Sequence, residues 1–219
     1  MQLTITGNRL TDGWAEDLDW ILSHEEKLIF NQVKNFQQQD WLAGRIALKQ
    51  AVLRHVDAKN LNQLVIRNYA SGQPYLEGYE YLNCSLSHSF GWAIASAGKQ
   101  IVGVDIEKIR PHADDLVYAI AGNAEVRLMN NVNKNLNVKL TYIWTIKESV
   151  MKGLGIGFGI SPKNLYIKKI NIKKNNFQSL IFNSQSKDYW TVFSTAMDEF
   201  IMSLAQKGTS HVKAKINWN

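Results

Sequence analysis

Two stretches that each gather charge on one side constrain this chain most. Ile101-Val-Gly-Val-Asp-Ile-Glu107 is rich in β-branched residues and reads as a strand. Asp105 and Glu107 are two apart, so both carboxylates project from the same side of it. Leu140 to Leu154 reads as a helix in which Trp144, Glu148 and Lys152 recur at four-residue intervals and share a face. If strand and helix meet, three carboxylates and a lysine converge, which suits a hard cation with a phosphate-binding lysine beside it. Taken singly, the pieces also suit plainer roles. Asp105 and Glu107 could be solvated acids, Trp144 a core residue, and Lys147 a solvated neighbour. Glu148 and Lys152 could be a surface ion pair worth about 0.3–0.5 kcal/mol. Strands disfavour Asp, however, and same-face acids repel, so a neutralising cation makes sense of the strand.

The rest of the chain bounds the chemistry. Its 219 residues allow one large domain or two small ones. The net charge of +6 and pI of about 9.3 favour acidic partners, whether nucleic acid, anionic lipid, phosphorylated ligand or acidic protein. The most basic run, Lys163 to Lys174, reads as a solvated loop and strand edge. Cys84 is the single cysteine, so no internal disulfide forms. The first residues lack a signal-peptide pattern, and no apolar run approaches the roughly 20 residues of a membrane helix; the cytoplasm is expected. The absence of CxxC and HExxH leaves zinc and thiol chemistry unsupported.

In chain order, Leu3 and Ile5 suggest a strand, and Ser23 with Glu26 a capping box that starts a helix. Gln37 to Val56 reads as a helix carrying Arg45 and Lys49 on one face, as surface charges or as ligand contacts. Leu64–Ile66 suggests a strand, Ser71-Gly72-Gln73-Pro74 a turn, and Tyr81–Ser87 a strand ending in Ser87-His88-Ser89. Trp92–Ala97 and Ile101–Ile106 read as strands joined by a hairpin turn at Gly98-Lys99. Asp115–Met129 reads as helix broken near Gly122, and Asn130–Asn137 as loop. After the Leu140–Leu154 helix, Gly153, Gly155, Gly157 and Gly159 form a glycine-rich stretch unlike the P-loop or dinucleotide fingerprints. Tyr166–Ile172, Leu180–Phe182, Tyr189–Thr195, Phe200–Ala205 and Val212–Ile216 read as strands. A helix followed by strands thus occurs twice, predicting an α+β fold of two similar halves, 1–100 and 101–219, with a site at their interface.

Five pieces together resemble the surfactin-type 4′-phosphopantetheinyl transferases. They are Gly44-Arg45-Ile-Ala-Leu-Lys49, Ser71-Gly72-Gln73-Pro74, Leu86-Ser87-His88-Ser89, Gly103-Val-Asp105-Ile-Glu107 and Trp144-Thr-Ile-Lys147-Glu148-Ser-Val-Met-Lys152, in the family's order. The resemblance implies a monomeric pseudo-dimer that binds coenzyme A in its cleft. It would transfer phosphopantetheine to a serine of an acidic acyl or peptidyl carrier protein, with neither nucleic acid nor membrane as partner. By the same resemblance, Asp105, Glu107 and Glu148 would ligate Mg²⁺, with Mn²⁺ as alternative. Glu148 and Lys152 would be catalytic, Lys152 meeting the pyrophosphate. Ser87 and His88 would contact coenzyme A phosphates, and Arg45 the 3′-phosphate. Glu125 would match a further family carboxylate. The chain departs from the family at Gln73, where Lys is frequent, and in the loop after Lys152, which lacks a basic residue between its glycines. A Mg²⁺-dependent nuclease is the rival reading, although Glu148 and Lys152 are four apart on a helix rather than two apart on a strand. A coenzyme A- or carrier-binding module that has lost catalysis is another, which the intact acids disfavour.

Overall fold

The computed structural model describes residues 4–9, 18–111, 120–129, 134–156, 159–173, 176–210 and 216–218. The start of the helix expected at Asp115, the first half of the Asn130–Asn137 loop, Gly157, and Val212–Lys215 of the last expected strand lie outside them. The chain divides into two units, Met1–Gln100 with Lys215–Asn219, and Ile101–Ala214. Both combine a long helix with a sheet, so the fold is α+β as expected.

In the first unit, β1 (Thr4–Arg9) pairs antiparallel with β5 (Trp92–Gly98), which pairs with β4 (Asn83–Ser89). Short helices α1 (Leu18–Ile21) and α2 (His24–Phe30) precede the long helix α3 (Asn35–Val52). Alanines on both surfaces let α3 lie close to the sheet: Ala43, Ala47 and Ala51 meet Ala93, Ala95 and Ala97, all fully buried. A small hairpin, β2 (Ile66–Asn68) with β3 (Pro74–Leu76), flanks them and encloses the expected turn. The predicted capping box is present: Ser23 caps α2, and Glu26 accepts from the Ser23 amide at 3.0 Å. Glu26 is itself fully buried and does more than cap. It takes the Lys49 ammonium, and its other oxygen accepts from the Ile66 amide at 3.2 Å. Lys49 also donates to the Ile21 carbonyl at 2.7 Å.

In the second unit, β6 (Val102–Lys108), β10 (Phe200–Lys207), β9 (Asp188–Met197), β8 (Asn176–Asn183) and β7 (Leu165–Lys173) form an antiparallel sheet in that order. A short helix, α4 (Asn123–Leu128), precedes the long helix α5 (Leu136–Leu154). Asn135 caps α5 through the Val138 amide, and Gly155 ends it in the left-handed region at φ 69°. Ile143, Ile146, Val150 and Met151 bury one face of α5 against Ile181, Trp190, Val192 and Ile201. Glu125, at the third position of α4, accepts from the Gly122 and Ile167 amides at 2.8 and 2.9 Å. Lys147 donates to that carboxylate at 2.8 Å and to the Ile120 carbonyl at 2.6 Å.

Two expectations fail here. Gly98-Lys99 does not join a hairpin, because β5 belongs to one sheet and β6 pairs with β10 in the other. The second half also does not run to the C-terminus: β11 (Ile216–Trp218) pairs parallel with β1, returning the end of the chain to the first unit.

Candidate active site

The site in the second unit depends on how closely α5 lies on β6. A Cβ on Gly103 would fall 1.9 Å from the Ser149 carbonyl oxygen and 2.3 Å from the Gly153 amide nitrogen. A Cβ on Gly153 would fall 2.7 Å from the Trp190 ring. Both positions therefore require glycine. Thr145 adds a polar stitch, accepting from the Ser203 hydroxyl at 2.9 Å, and Ser203 pairs in register with Asp105.

This approach brings the predicted strand acids and helix residues together. Lys152 donates to Asp105 Oδ1 at 2.6 Å, and Trp144 Nε1 donates to Glu107 Oε1 at 3.4 Å. Asp105 is 1% exposed and Glu148 8% exposed, whereas Glu107 is half-buried. The simple surface pair of Glu148 with Lys152 is not what forms; the ammonium reaches across to the strand. Burial pushes the Glu148 carboxyl up to about 7, with Asp105 and then Glu107 adding to the rise and Lys152 opposing it.

The donor chemistry fits a hard cation. All donors are oxygens: Asp105 holds the Lys152 ammonium, and Glu148 feels the charges of Asp105, Lys152 and Glu107. Glu148 Oε1 is buried with no hydrogen-bond partner among the described residues. Among those residues, no three acids converge as a ready-made metal cage. The carboxylates are neighbours in charge rather than a closed coordination shell.

The other predicted residues are placed differently. Lys147 is not solvated: it is 1% exposed and tied to Glu125. Glu125 is consumed by that tie and by two backbone amides, so it is not a spare carboxylate at the site. Arg45 is not a surface charge. It is 7% exposed, donates to the Ile66 carbonyl at 3.0 Å and lies 4.6 Å over the Trp41 ring. Ser87 and His88 occupy successive positions of β4, with Ser87 buried and His88 exposed. Asp40, which the spacing of charges did not flag, lies beside His88, its Oδ2 3.7 Å from Nδ1.

Comparison with known proteins identifies a family. A family model described as the 4′-phosphopantetheinyl transferase superfamily matches residues 101–205, the stretch that contains every residue of the β6–α5 cluster. The chain is similar to the 4′-phosphopantetheinyl transferase gsp of Aneurinibacillus migulanus, 24% identical over 72% of this chain and 64% of that protein. It is 35% identical to a holo-[acyl-carrier-protein] synthase of Mycoplasma mycoides subsp. mycoides, over 36% of this chain and 74% of the other. The crystal structure of the Thermotoga maritima holo-[acyl-carrier-protein] synthase aligns with 50% of this chain and 63% of its own at 19% identity and a TM-score of 0.39. The chain thus spans just under two thirds of the length of the Aneurinibacillus relative. The family match together with the 35% identity across most of the Mycoplasma protein places this chain in the 4′-phosphopantetheinyl transferase superfamily.

Proposed function

We propose that this chain transfers the 4′-phosphopantetheine group of coenzyme A to a serine hydroxyl of an acyl or peptidyl carrier protein, releasing 3′,5′-ADP. The observation that carries the proposal is the β6–α5 cluster, in which Lys152 donates to the buried Asp105 at 2.6 Å and Glu148 is buried beside it, its carboxyl raised to about 7 by that burial. Without a cation that carboxyl suits a proton acceptor near neutral pH; a bound cation would lower its basicity, so the serine proton would go to a Glu148 oxygen that the cation leaves free.

The reaction needs two things: a proton removed from the serine, and negative charge on the diphosphate offset as the P–O bond to the 3′,5′-ADP leaving group breaks. Glu148 takes the first role. Lys152, held by Asp105 with 30% of its side chain exposed, would turn its remaining donors to the diphosphate. When bound, Mg²⁺ or Mn²⁺ would be held by Asp105, Glu107 and Glu148 and would supply further charge neutralisation at the diphosphate. Trp144 keeps Glu107 turned toward the helix. In the first unit, the exposed His88, with Ser87 next to it, would hold coenzyme A phosphates. Burial of the Arg45 guanidinium against Ile66 and Trp41 supports a bracing role for it rather than contact with the 3′-phosphate. An acidic carrier suits the chain's charge of +6.

Intact-protein mass spectrometry of an apo carrier protein incubated with this protein, coenzyme A and Mg²⁺ tests the proposal. The expected result is a mass gain of one phosphopantetheine that EDTA abolishes. A carrier that stays apo although coenzyme A binds would remove the transfer reaction. A gain that survives EDTA would remove the cation.

A further inference from the structure

Asp40 lies on α3 and serves two neighbours at the end of the β4–β5 hairpin. Its Oδ1 accepts from the Gly91 amide at 2.7 Å. Its Oδ2 stands 3.7 Å from His88 Nδ1, within ion-pairing range of a protonated ring and too long for a hydrogen bond. Phe90 and Gly91 form the two-residue turn, with φ of 50° and 80°, between the paired residues Ser89 and Trp92. Two positive φ values in succession are the type I′ geometry that suits a tight hairpin. One carboxylate therefore clamps the turn and faces the imidazole two residues before it. Asp40 is 31% exposed along its side chain and His88 47%, so the pair is accessible rather than sealed in the core.

We propose that Asp40 is a positioning residue for His88, fixing the hairpin turn with one oxygen and drawing the imidazole into its phosphate-binding orientation with the other. This rests on the reading of His88 as a coenzyme A phosphate contact. A carboxylate 3.7 Å from Nδ1 attracts the protonated imidazole without hydrogen-bonding it, and so biases the ring toward α3 and raises its positive character for a phosphate. Asp40 is then as much a part of phosphate recognition as His88, although it touches no phosphate.

A double-mutant cycle on the full chain tests this, with coenzyme A binding followed by calorimetry and transfer by steady-state KM and kcat. Asp40→Asn keeps an acceptor for the Gly91 amide and removes the charge opposite His88, so the variant folds like the parent and melting curves check it. Asp40→Asn is expected to weaken coenzyme A about fivefold, in KM rather than kcat, and to add nothing in a His88→Gln background. Equal losses in both backgrounds would show a role independent of His88 and overturn the proposal, as would no loss in either. If His88→Gln alone leaves coenzyme A binding unchanged, the reading of His88 itself falls and the positioning role falls with it. Failure of the unmodified protein to bind coenzyme A would instead defeat the functional reading as a whole.

Discussion

The two units build the same buried tie and then part company. In each, a glutamate at the third position of a short helix accepts from the N-cap amide of that helix and from the amide of a strand isoleucine, Ile66 or Ile167. In each, a buried lysine of the long helix, Lys49 or Lys147, meets that glutamate and also donates to the carbonyl two residues before the N-cap. The residue after the lysine is Gln50 in one unit and Glu148 in the other; five after it stand Arg54 and Lys152. Gln50 lines an open cleft of about 510 Å³ with Ile46 and Leu53. Glu148 instead sits beside two strand carboxylates. The tie is architecture, common to both halves, and the proposed chemistry is what the second half adds one residue beyond it.

The largest effect follows from erasing that difference. Glu148→Gln gives α5 the residue that α3 carries after its lysine. It removes the proposed base and a proposed cation ligand together, so carrier modification should fall by about 10³-fold or more while the fold stays intact. Residual transfer within tenfold of the parent, read by the same mass shift, would mean that Glu148 does not separate the halves functionally.

Breaking the tie itself should act on stability in both halves. Lys147→Met leaves Glu125 buried with its amide partners and no counter-charge, and Lys49→Met does the same to Glu26. Each should cost about 3–5 kcal/mol, because the unpaired buried charge and not the lost pair sets the penalty. Urea unfolding of the two variants measures this. A small loss in one unit and a large loss in the other would show that the shared geometry does not carry a shared energetic role.

Much of this was legible in sequence because it is local. The Ser23–Glu26 capping box, the shared face of Trp144, Glu148 and Lys152, and the common side of Asp105 and Glu107 all follow from helix and strand periods, and they hold. What was missed depends on partners far along the chain. A helical lysine reads as solvated until its glutamate, here 22 or 23 residues away, is known to be buried beside it. Gly98-Lys99 has the local chemistry of a hairpin, but strand pairing is decided by the whole sheet, and β6 finds β10 instead. The parallel pairing of β11 with β1 joins the two ends of the chain and has no local signature at all.

A smaller effect on stability completes the comparison. The Glu148 carboxyl titrates near 7 in the folded chain, against about 4.5 in an unfolded one. A raised folded value means that the folded state binds the proton more tightly. Its contribution is therefore full below pH 4.5 and is lost as pH rises through 7. The span corresponds to at most about 3 kcal/mol. Without divalent cations, the protein should match Glu148→Gln in urea midpoint at pH 4 and fall below it at pH 8. Gln50→Ala, the corresponding change in the first unit, should leave the pH dependence untouched. Adding Mg²⁺ at pH 8 should return more stability to the parent than to Glu148→Gln, which keeps Asp105 and Glu107 but lacks the third carboxylate. A parent whose midpoint relative to Glu148→Gln stays constant from pH 4 to pH 8 would show that the second half does not store this proton, and the proposed base would lose its physical support.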